Sequence, residues 1–255
     1  MEHDRLYFTG QSGFVGSNII EDLREHYTIS DHHFDYIVNL ASISSVEYSI
    51  KHPLEVIENN IMHTTQLLER ARLKPPKLFV QFSTIESQNI TNPYAGSKKA
   101  QEALALAYSR TYDIPVVVVH STNIVGPNQS KDKFLPKIVD QIKANEPVTI
   151  YTHNGEMAER TYNPVKNIGS AILYLLQHYE DYQTYNEVGI EGGETLNNLQ
   201  LAQRVARILG KELTCRFVEV ETIRPDYLMG YTPENGIEGW LAPQTLDEGL
   251  QCVLD

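Results

Sequence analysis

Over the first two-thirds of the chain, short runs that are apolar at almost every position alternate with longer stretches whose apolar residues recur at helical spacing. The runs are Leu6-Tyr7-Phe8, Tyr36 to Leu40, Lys77 to Ser83 and the valine-rich Pro115 to His120. Between them lie Ser17 to His26, with Ile19, Ile20 and Leu23 on one face, then Leu54 to Arg72 and Pro93 to Tyr112. A strand that is apolar on both faces must be covered on both, and parallel neighbours need crossovers long enough to hold a helix. The pattern therefore restricts the chain to an α/β fold on a doubly wound parallel sheet.

Beyond Gly126 the rhythm loosens. A helix is expected over Leu135 to Ala144, a strand over Val148 to Tyr151 after Pro147, and a helix over Val165 to His178. The tail reads as a helix over Leu199 to Leu209 stopped by Gly210, a strand over Thr214 to Val220, and a last helix opened by the Thr245/Glu248 capping box. No repeat and no low-complexity linker separates these elements from the first set, so a smaller second unit should interleave with the larger one. The 255 residues suffice for that.

Charge narrows the function. A net charge of −12 argues against binding to nucleic acid or to an anionic membrane surface, both of which need clustered Lys and Arg. The longest apolar run, Ile114 to Val119, contains Pro115 and falls far short of the roughly 20 residues of a spanning helix. Glu2, His3, Asp4 and Arg5 lead straight into the first strand, without a signal-peptide pattern. Two cysteines, Cys215 and Cys252, make no disulfide framework, so the expected setting is cytoplasmic. The sequons at Asn89 and Asn128 then carry no weight. None of the nine histidines has the spacing of a zinc hydrolase, and no metal site is expected.

Three segments carry chemistry. Thr9-Gly10-Gln11-Ser12-Gly13-Phe14-Val15-Gly16 joins the first strand to the first helix. Glycines there permit a tight turn and let backbone amides approach a pyrophosphate at the helix N-terminus. Next, Asn92 can cap a helix that has Pro93 at its first position, which puts Tyr94 and Lys98 on one face of its first turns. The ammonium and the helix dipole would both favour phenolate. Bringing tyrosine from about 10 toward 7 takes roughly 4 kcal/mol. Tyr162 and Lys166 repeat the spacing, but Pro164 interrupts it. Finally, Ser83-Thr84-Ile85-Glu86 ends one strand and Asn39-Leu40-Ala41-Ser42 another, and in open parallel sheets the ligand crevice lies beyond such ends. The Thr84 hydroxyl could align an alcohol, and Glu86 could handle a proton or be a solvated loop carboxylate.

Taken together, these residues resemble an extended short-chain dehydrogenase/reductase of the NAD-dependent nucleotide-sugar epimerase/dehydratase family. The glycines at 10, 13 and 16, the Asn-Leu-Ala strand end and the Tyr94/Lys98 pair all match. Asn60 and Thr64 fit an Asn-x-x-Gly-Thr pattern with His63 in the glycine's place. Asn123-Ile124-Val125-Gly126-Pro127 is similar to the family's Asn-Val-Tyr-Gly-Pro. Arg160, Arg224-Pro225 and the segment from Gly239-Trp240 to Gly249-Leu250 continue the likeness to the end of the chain. Asn92 to Lys98, Gly126 to Gln129 and Asp132 to Pro136 look most like the dTDP-glucose 4,6-dehydratase branch.

The resemblance implies a Rossmann-like domain over 1–125 and 160–187, and a small substrate domain over 126–159 and 188–255. It implies NAD as cofactor, with NADP not excluded. The dinucleotide would be held by Gly10, Ser12, Gly13, Phe14, Val15, Gly16, Leu40, Ala41, Ser42, Asn60, Ser83, Tyr94 and Lys98. Tyr94 would be the base on the sugar 4-hydroxyl while NAD⁺ takes the C4 hydride. Lys98 would hold the ribose and lower the tyrosine pKa, and Thr84 would orient the sugar oxygen. Asn123, Lys133, Arg160 and Arg224 would lie at the nucleotide diphosphate, for which bidentate Arg is apt. Family members commonly dimerise by packing the long helix and the tyrosine helix into a four-helix bundle. Here Leu67, Leu68, Leu104, Leu106 and Ala107 offer apolar surface.

Two departures bear on this. The dehydratases carry Thr-Asp-Glu, and the middle position here is Ile85, which cannot protonate a leaving hydroxyl. Epimerisation, dehydration and decarboxylation therefore stay open, as do a 4-keto reductase and a non-catalytic nucleotide-sugar-binding protein. The second departure is in the sheet. Only six residues, Thr28 to His33, separate the first helix from the segment starting at Phe34, too few for a strand plus a parallel crossover. The sheet is thus expected to be shortened on the adenine side. Asp31, 21 residues after Gly10, reads either as the ribose-binding acid or as an ordinary loop residue.

Overall fold

The computed structural model describes residues 3–221 and 235–254. Its first strands and helices are β1 (Arg5–Thr9), α1 (Phe14–Arg24), β2 (Thr28–Ile29), β3 (Tyr36–Asn39), α2 (Val46–Lys51), α3 (Pro53–Ile57), a π turn (Glu58–Met62) and α4 (His63–Leu73). There follow β4 (Leu78–Thr84), a 3-10 turn (Ile85–Gln88), α5 (Pro93–Tyr112), β5 (Val116–Ser121), β6 (Asn123–Val125) and α6 (Phe134–Lys143). The remainder comprises β7 (Val148–His153), β8 (Glu156–Met157), β9 (Glu159–Pro164), α7 (Val165–Gln177), β10 (Asn186–Gly189), β11 (Glu194–Asn197), α8 (Asn198–Ile208), β12 (Cys215–Glu219) and α9 (Leu246–Leu254).

The described chain divides into two compact units. The first takes residues up to 121, 168–191 and 235–241; the second takes 122–167, 192–221 and 242–254. In the first, six parallel strands lie in the order β10-β5-β4-β3-β1-β2. Ile37, Phe79, Val116 and Val118 point to one face, where they pack with Leu67, Leu68, Ala71 and Ala105 of α4 and α5. Successive strand residues alternate sides, so Val38, Val80, Val117 and Val119, all fully buried, face the other way. The near-continuous apolar runs are thus explained by helices on both faces. This is a Rossmann-like, doubly wound sheet.

Several boundaries differ from the sequence pattern. Helix α1 starts at Phe14, not Ser17, because the chain enters it directly from Gly13, whose position supplies no side-chain cap. The expected helix over 54–72 is α3, a π turn and α4 in succession. The extra residue of the π turn carries Asn60 into the interior, where it is fully buried. The stretch after α1 holds a two-residue strand, β2, paired to β1 only at Arg5↔Thr28 and Leu6↔Ile29. The connection then crosses back within six residues, with Ser30 N on Leu6 O at 3.0 Å and Asp35 N on Arg5 O at 2.8 Å. On the open edge beyond that stub, Gln11 Nε2 donates to Phe8 O at 2.8 Å, bonding a main-chain acceptor as a longer strand would.

The second unit contains two three-stranded sheets, β11-β9-β6 and β12-β7-β8. Its core comprises Leu135, Ile138, Val139 and Ile142 of α6 with Leu201, Ala202 and Val205 of α8 and Leu246 and Leu250 of α9. Residues 160–167 belong here because β9 pairs with both β6 and β11. Residues 188–191 and 235–241 belong instead to the first unit. There Ile190 N bonds His120 O at 3.0 Å, Gly189 N bonds Asn235 O at 2.8 Å, and Trp240 Nε1 bonds Ser170 Oγ at 3.2 Å. The Thr245/Glu248 capping box forms as the sequence predicts, with Thr245 N on Glu248 Oε2 at 2.8 Å. No helix among the described residues is long and apolar enough to cross a membrane.

Candidate active site

The turn after β1 is closed by Gly13 N on Gly10 O at 3.0 Å, with Gly10 in the left-handed region at φ +80°. A Cβ at Gly16 would stand 2.0 Å from Gly10 O, and one at Gly10 would stand 2.9 Å from Ala41 N. The main chain of the β3 end and that of the turn are therefore in contact, which only glycine allows. Ser12 and Gly13 are exposed, and Phe14 and Val15 are half-buried at the first turn of α1. That cradle fits a dinucleotide pyrophosphate, which backbone amides at a helix start bind well.

A buried polar network fixes the neighbouring strand end. Asn39 accepts the Thr9 hydroxyl at 2.7 Å and donates to Thr64 Oγ1 at 3.0 Å and to Gln81 Oε1 at 2.9 Å. Ala41 N donates to Thr9 Oγ1 at 3.3 Å. Asn60 holds both main-chain groups of Ile43, accepting its N–H at 2.8 Å and donating to its carbonyl at 3.2 Å, and also donates to Ser97 Oγ at 2.8 Å. The sequence suggested Asn60 as a cofactor contact. In the structure its amide is fully buried and hydrogen-bonded to the chain itself, and it shapes the loop carrying Leu40, Ala41 and Ser42, which stay half-buried.

Helix α5 begins as the sequence indicates, with Asn92 Oδ1 accepting Ala95 N at 2.9 Å and Pro93 at the first position. Ser49 of α2 adds an acceptor, taking the Tyr94 N–H at 3.2 Å. The 3-10 turn after β4 starts at Thr84, whose hydroxyl accepts Glu86 N at 3.3 Å. Thr84, Tyr94 and Glu86 come together there. Burial pushes the Tyr94 phenol well above its ordinary range, the charge of Glu86 pushes it further, and a hydrogen bond with the Thr84 side chain partly opposes both. Lys98 lies one turn along and is 3% exposed, its Nζ donating to Phe82 O at 2.7 Å. Burial lowers its pKa to about 7, against the supporting charge of Glu102. Burial and the charge of Glu86 thus act on Tyr94 against the phenolate that Lys98 and the helix dipole are expected to favour.

The other predicted residues are placed as follows. Ser83 is buried and donates its hydroxyl to Glu102 Oε1 at 2.5 Å. Ile85 is buried beneath the 3-10 turn. Asp31 is exposed two residues past β2, and Arg70 Nη2 donates to its main-chain carbonyl at 2.7 Å. In register, β2 ends opposite Leu6, three residues or about 10 Å before the Thr9 end of β1. In the second unit, Asn123 donates to Thr161 O at 3.4 Å, Lys133 occupies the N-cap position of α6, and Arg160 is on β9 with its charge acting on Tyr162. Tyr162 is on a strand and Lys166 on a helix, so the second Tyr-x-x-x-Lys match builds no such pair. Arg224 lies outside the described residues. No group of three or more His, Cys, Asp or Glu side chains suited to a metal occurs among the described residues.

Sequence reasoning missed Ser49, Glu102 and His120. Glu102 was within reach, since it follows Lys98 by four residues and so shares its helix face. Ser49 and His120 belong to other elements, and no spacing connects them to Tyr94.

A profile of the NAD dependent epimerase/dehydratase family matches residues 26–189. The chain is 26% identical, over 95% of its length, to a trifunctional UDP-glucose 4,6-dehydratase/UDP-4-keto-6-deoxy-D-glucose 3,5-epimerase/UDP-4-keto-L-rhamnose-reductase of Arabidopsis thaliana, and covers 38% of that protein. It is 27% identical to a dTDP-D-glucose 4,6-dehydratase of Dictyostelium discoideum, over 78% of this chain and 49% of that one. The chain thus spans about half or less of the length of these two relatives. Among solved structures, that of UDP-glucuronic acid 4-epimerase from Bacillus cereus, in complex with UDP-glucuronic acid and NAD, matches with a TM-score of 0.83. At 19% identity over 98% of both chains, it shares the fold.

Proposed function

The chain belongs to the NAD-dependent epimerase/dehydratase family, and on that premise we propose that it acts on a nucleotide-sugar, beginning with oxidation of the C4 alcohol. The observation that supports this best is the hydrogen bond between Thr84 and Tyr94, with Lys98 buried one helical turn away. A nicotinamide dinucleotide, when bound, supplies the two-electron acceptor for that oxidation. Gly10, Ser12, Gly13, Phe14, Val15 and Gly16 would take its pyrophosphate, with Leu40, Ala41, Ser42 and the Ser83 main chain beside it, Lys98 on the nicotinamide ribose and Asp31 toward the adenosine ribose. NAD is favoured over NADP.

Tyr94 would remove the proton of the sugar 4-hydroxyl, with Thr84 fixing the oxygen. Lys98 has to be charged to assist, and a value of about 7 places that change within the physiological range. Glu86 would serve as a second acid or base. Asn123, Lys133, Arg160 and Arg224 are proposed to hold the diphosphate, where guanidinium forks are chemically suited.

Calorimetric titration with NAD⁺, NADH, NADP⁺ and NADPH, followed by turnover assays on UDP- and dTDP-sugars, tests the proposal. Tyr94→Phe should bind dinucleotide about as the parent does and lose roughly 10²–10⁴-fold in turnover. Folded protein that binds none of the four dinucleotides would sink the redox reading.

A further inference from the structure

Under the strand end that carries Thr84 lies a group of ionisable side chains that the proposed chemistry leaves unused. Glu102 of α5 and His120 of β5 are 2% and 3% exposed. The Glu102 carboxylate accepts Ser83 Oγ at 2.5 Å and Lys99 Nζ at 2.9 Å. His120 Nδ1 lies 3.7 Å from Glu102 Oε1 and 3.4 Å from Thr84 O. On the far side of the ring, Nε2 lies 3.5 Å from Glu187 Oε2 of β10, without hydrogen-bond geometry. Glu187 also accepts the Tyr185 hydroxyl at 2.6 Å. Thr84 O and the Glu102 carboxylate are both acceptors, so an N–H at Nδ1 of His120 complements them.

A carboxylate buried this deeply is costly unless it is hydrogen-bonded and paired. Burial pushes the Glu102 pKa up, but hydrogen bonds from Ser83, Ser87 and Lys99 and the charge of His120 outweigh it and bring the net value down. Glu102 is therefore a fixed negative charge. It acts in two directions: toward β4 through Ser83 and His120, and along α5 toward Lys98, which its charge supports.

We propose that Glu102 and His120 are positioning residues, a buried pair that clamps the Ser83-Thr84 end of β4 against Tyr94 and keeps a negative charge behind Lys98. The inference rests on the reading of Tyr94 and Lys98 as the working pair, but its first test needs no turnover. In lysine-labelled protein, the ¹³Cε resonance of Lys98 is the one lost in Lys98→Arg, and it can be followed against pH. Glu102→Gln keeps the shape and removes the charge, so the Lys98 midpoint should fall by about one unit. In a turnover assay, the same variant should lose roughly tenfold or more in kcat at pH 8, with KM changed by less than about threefold. His120→Gln, which can still donate, should lose less than His120→Leu.

An unmoved Lys98 midpoint in Glu102→Gln overturns the proposal whether or not the protein turns over a sugar. A moved midpoint in a protein that turns over no sugar would overturn the oxidation reading and leave the clamp standing. Should Glu102→Gln fail to fold, the ring protons of His120 in the parent decide. A proton on Nδ1, hydrogen-bonded toward Thr84 O and Glu102, supports the clamp, and an Nδ1 without a proton overturns it.

Discussion

Lys98 is a charged group in a place that disfavours charge, and the consequence shows in how stability depends on pH. Its value of about 7 lies below the ordinary lysine value of 10.5. Between those two values the unfolded chain holds the proton and the folded chain does not, so stability rises with pH across that window. Below 7 both states are charged and the penalty is full. Lys98→Met should therefore stabilise the protein by about 1–3 kcal/mol at pH 6, with the gain shrinking toward zero near pH 10.5, as read by urea melts. A variant no more stable than its parent at pH 6 would contradict this. The placement of Tyr94, Lys98 and Thr84 was legible because spacing on one helix and position at a strand end both show in the sequence. The electrostatic state of Tyr94 was not legible, because Glu86 reaches it from a separate 3-10 turn.

At the scale of elements, the glycine turn separates two kinds of glycine. Gly16 has the Gly10 carbonyl where a Cβ would stand, whereas a Cβ on Gly96, inside α5, would meet only the end of Ile90 at 3.7 Å. Gly16→Ala should cost about 1–3 kcal/mol and weaken dinucleotide binding at least tenfold. Gly96→Ala should stabilise by about 0.5–1 kcal/mol. Thermal melts and calorimetry on the two variants check both. The long apolar strands were readable because a run buried on both faces needs no partner to be recognised. The short strands β2, β6, β8, β10 and β11, two to four residues each, are defined by the neighbours they pair with, which local composition does not reveal. The π turn was hidden for a similar reason, since it follows from what Asn60 reaches on Ile43.

For the whole molecule, pairing with a second copy is the reading to test. Leu67 and Leu68, expected to supply that surface, are buried in the chain's own core. The exposed apolar residues nearby are Leu54 at 75%, Ile57 and Met62, with Ala107 of α5 also exposed. If these helices pair in a four-helix bundle, Leu54→Glu should convert a dimer to a monomer in sedimentation velocity while leaving the circular dichroism unchanged. The stub at the sheet edge has a consequence of another kind. Strand β2 stops opposite Leu6, and the chain re-enters at Tyr36 on the other side of β1 at the same level. A whole strand-helix-strand module can thus be absent between those points without altering the order or register of β1, β3 and β4. The seam between Ile29 and Tyr36 is a joint at which evolution can add or remove adenosine-side architecture while the reacting end of the sheet stays untouched.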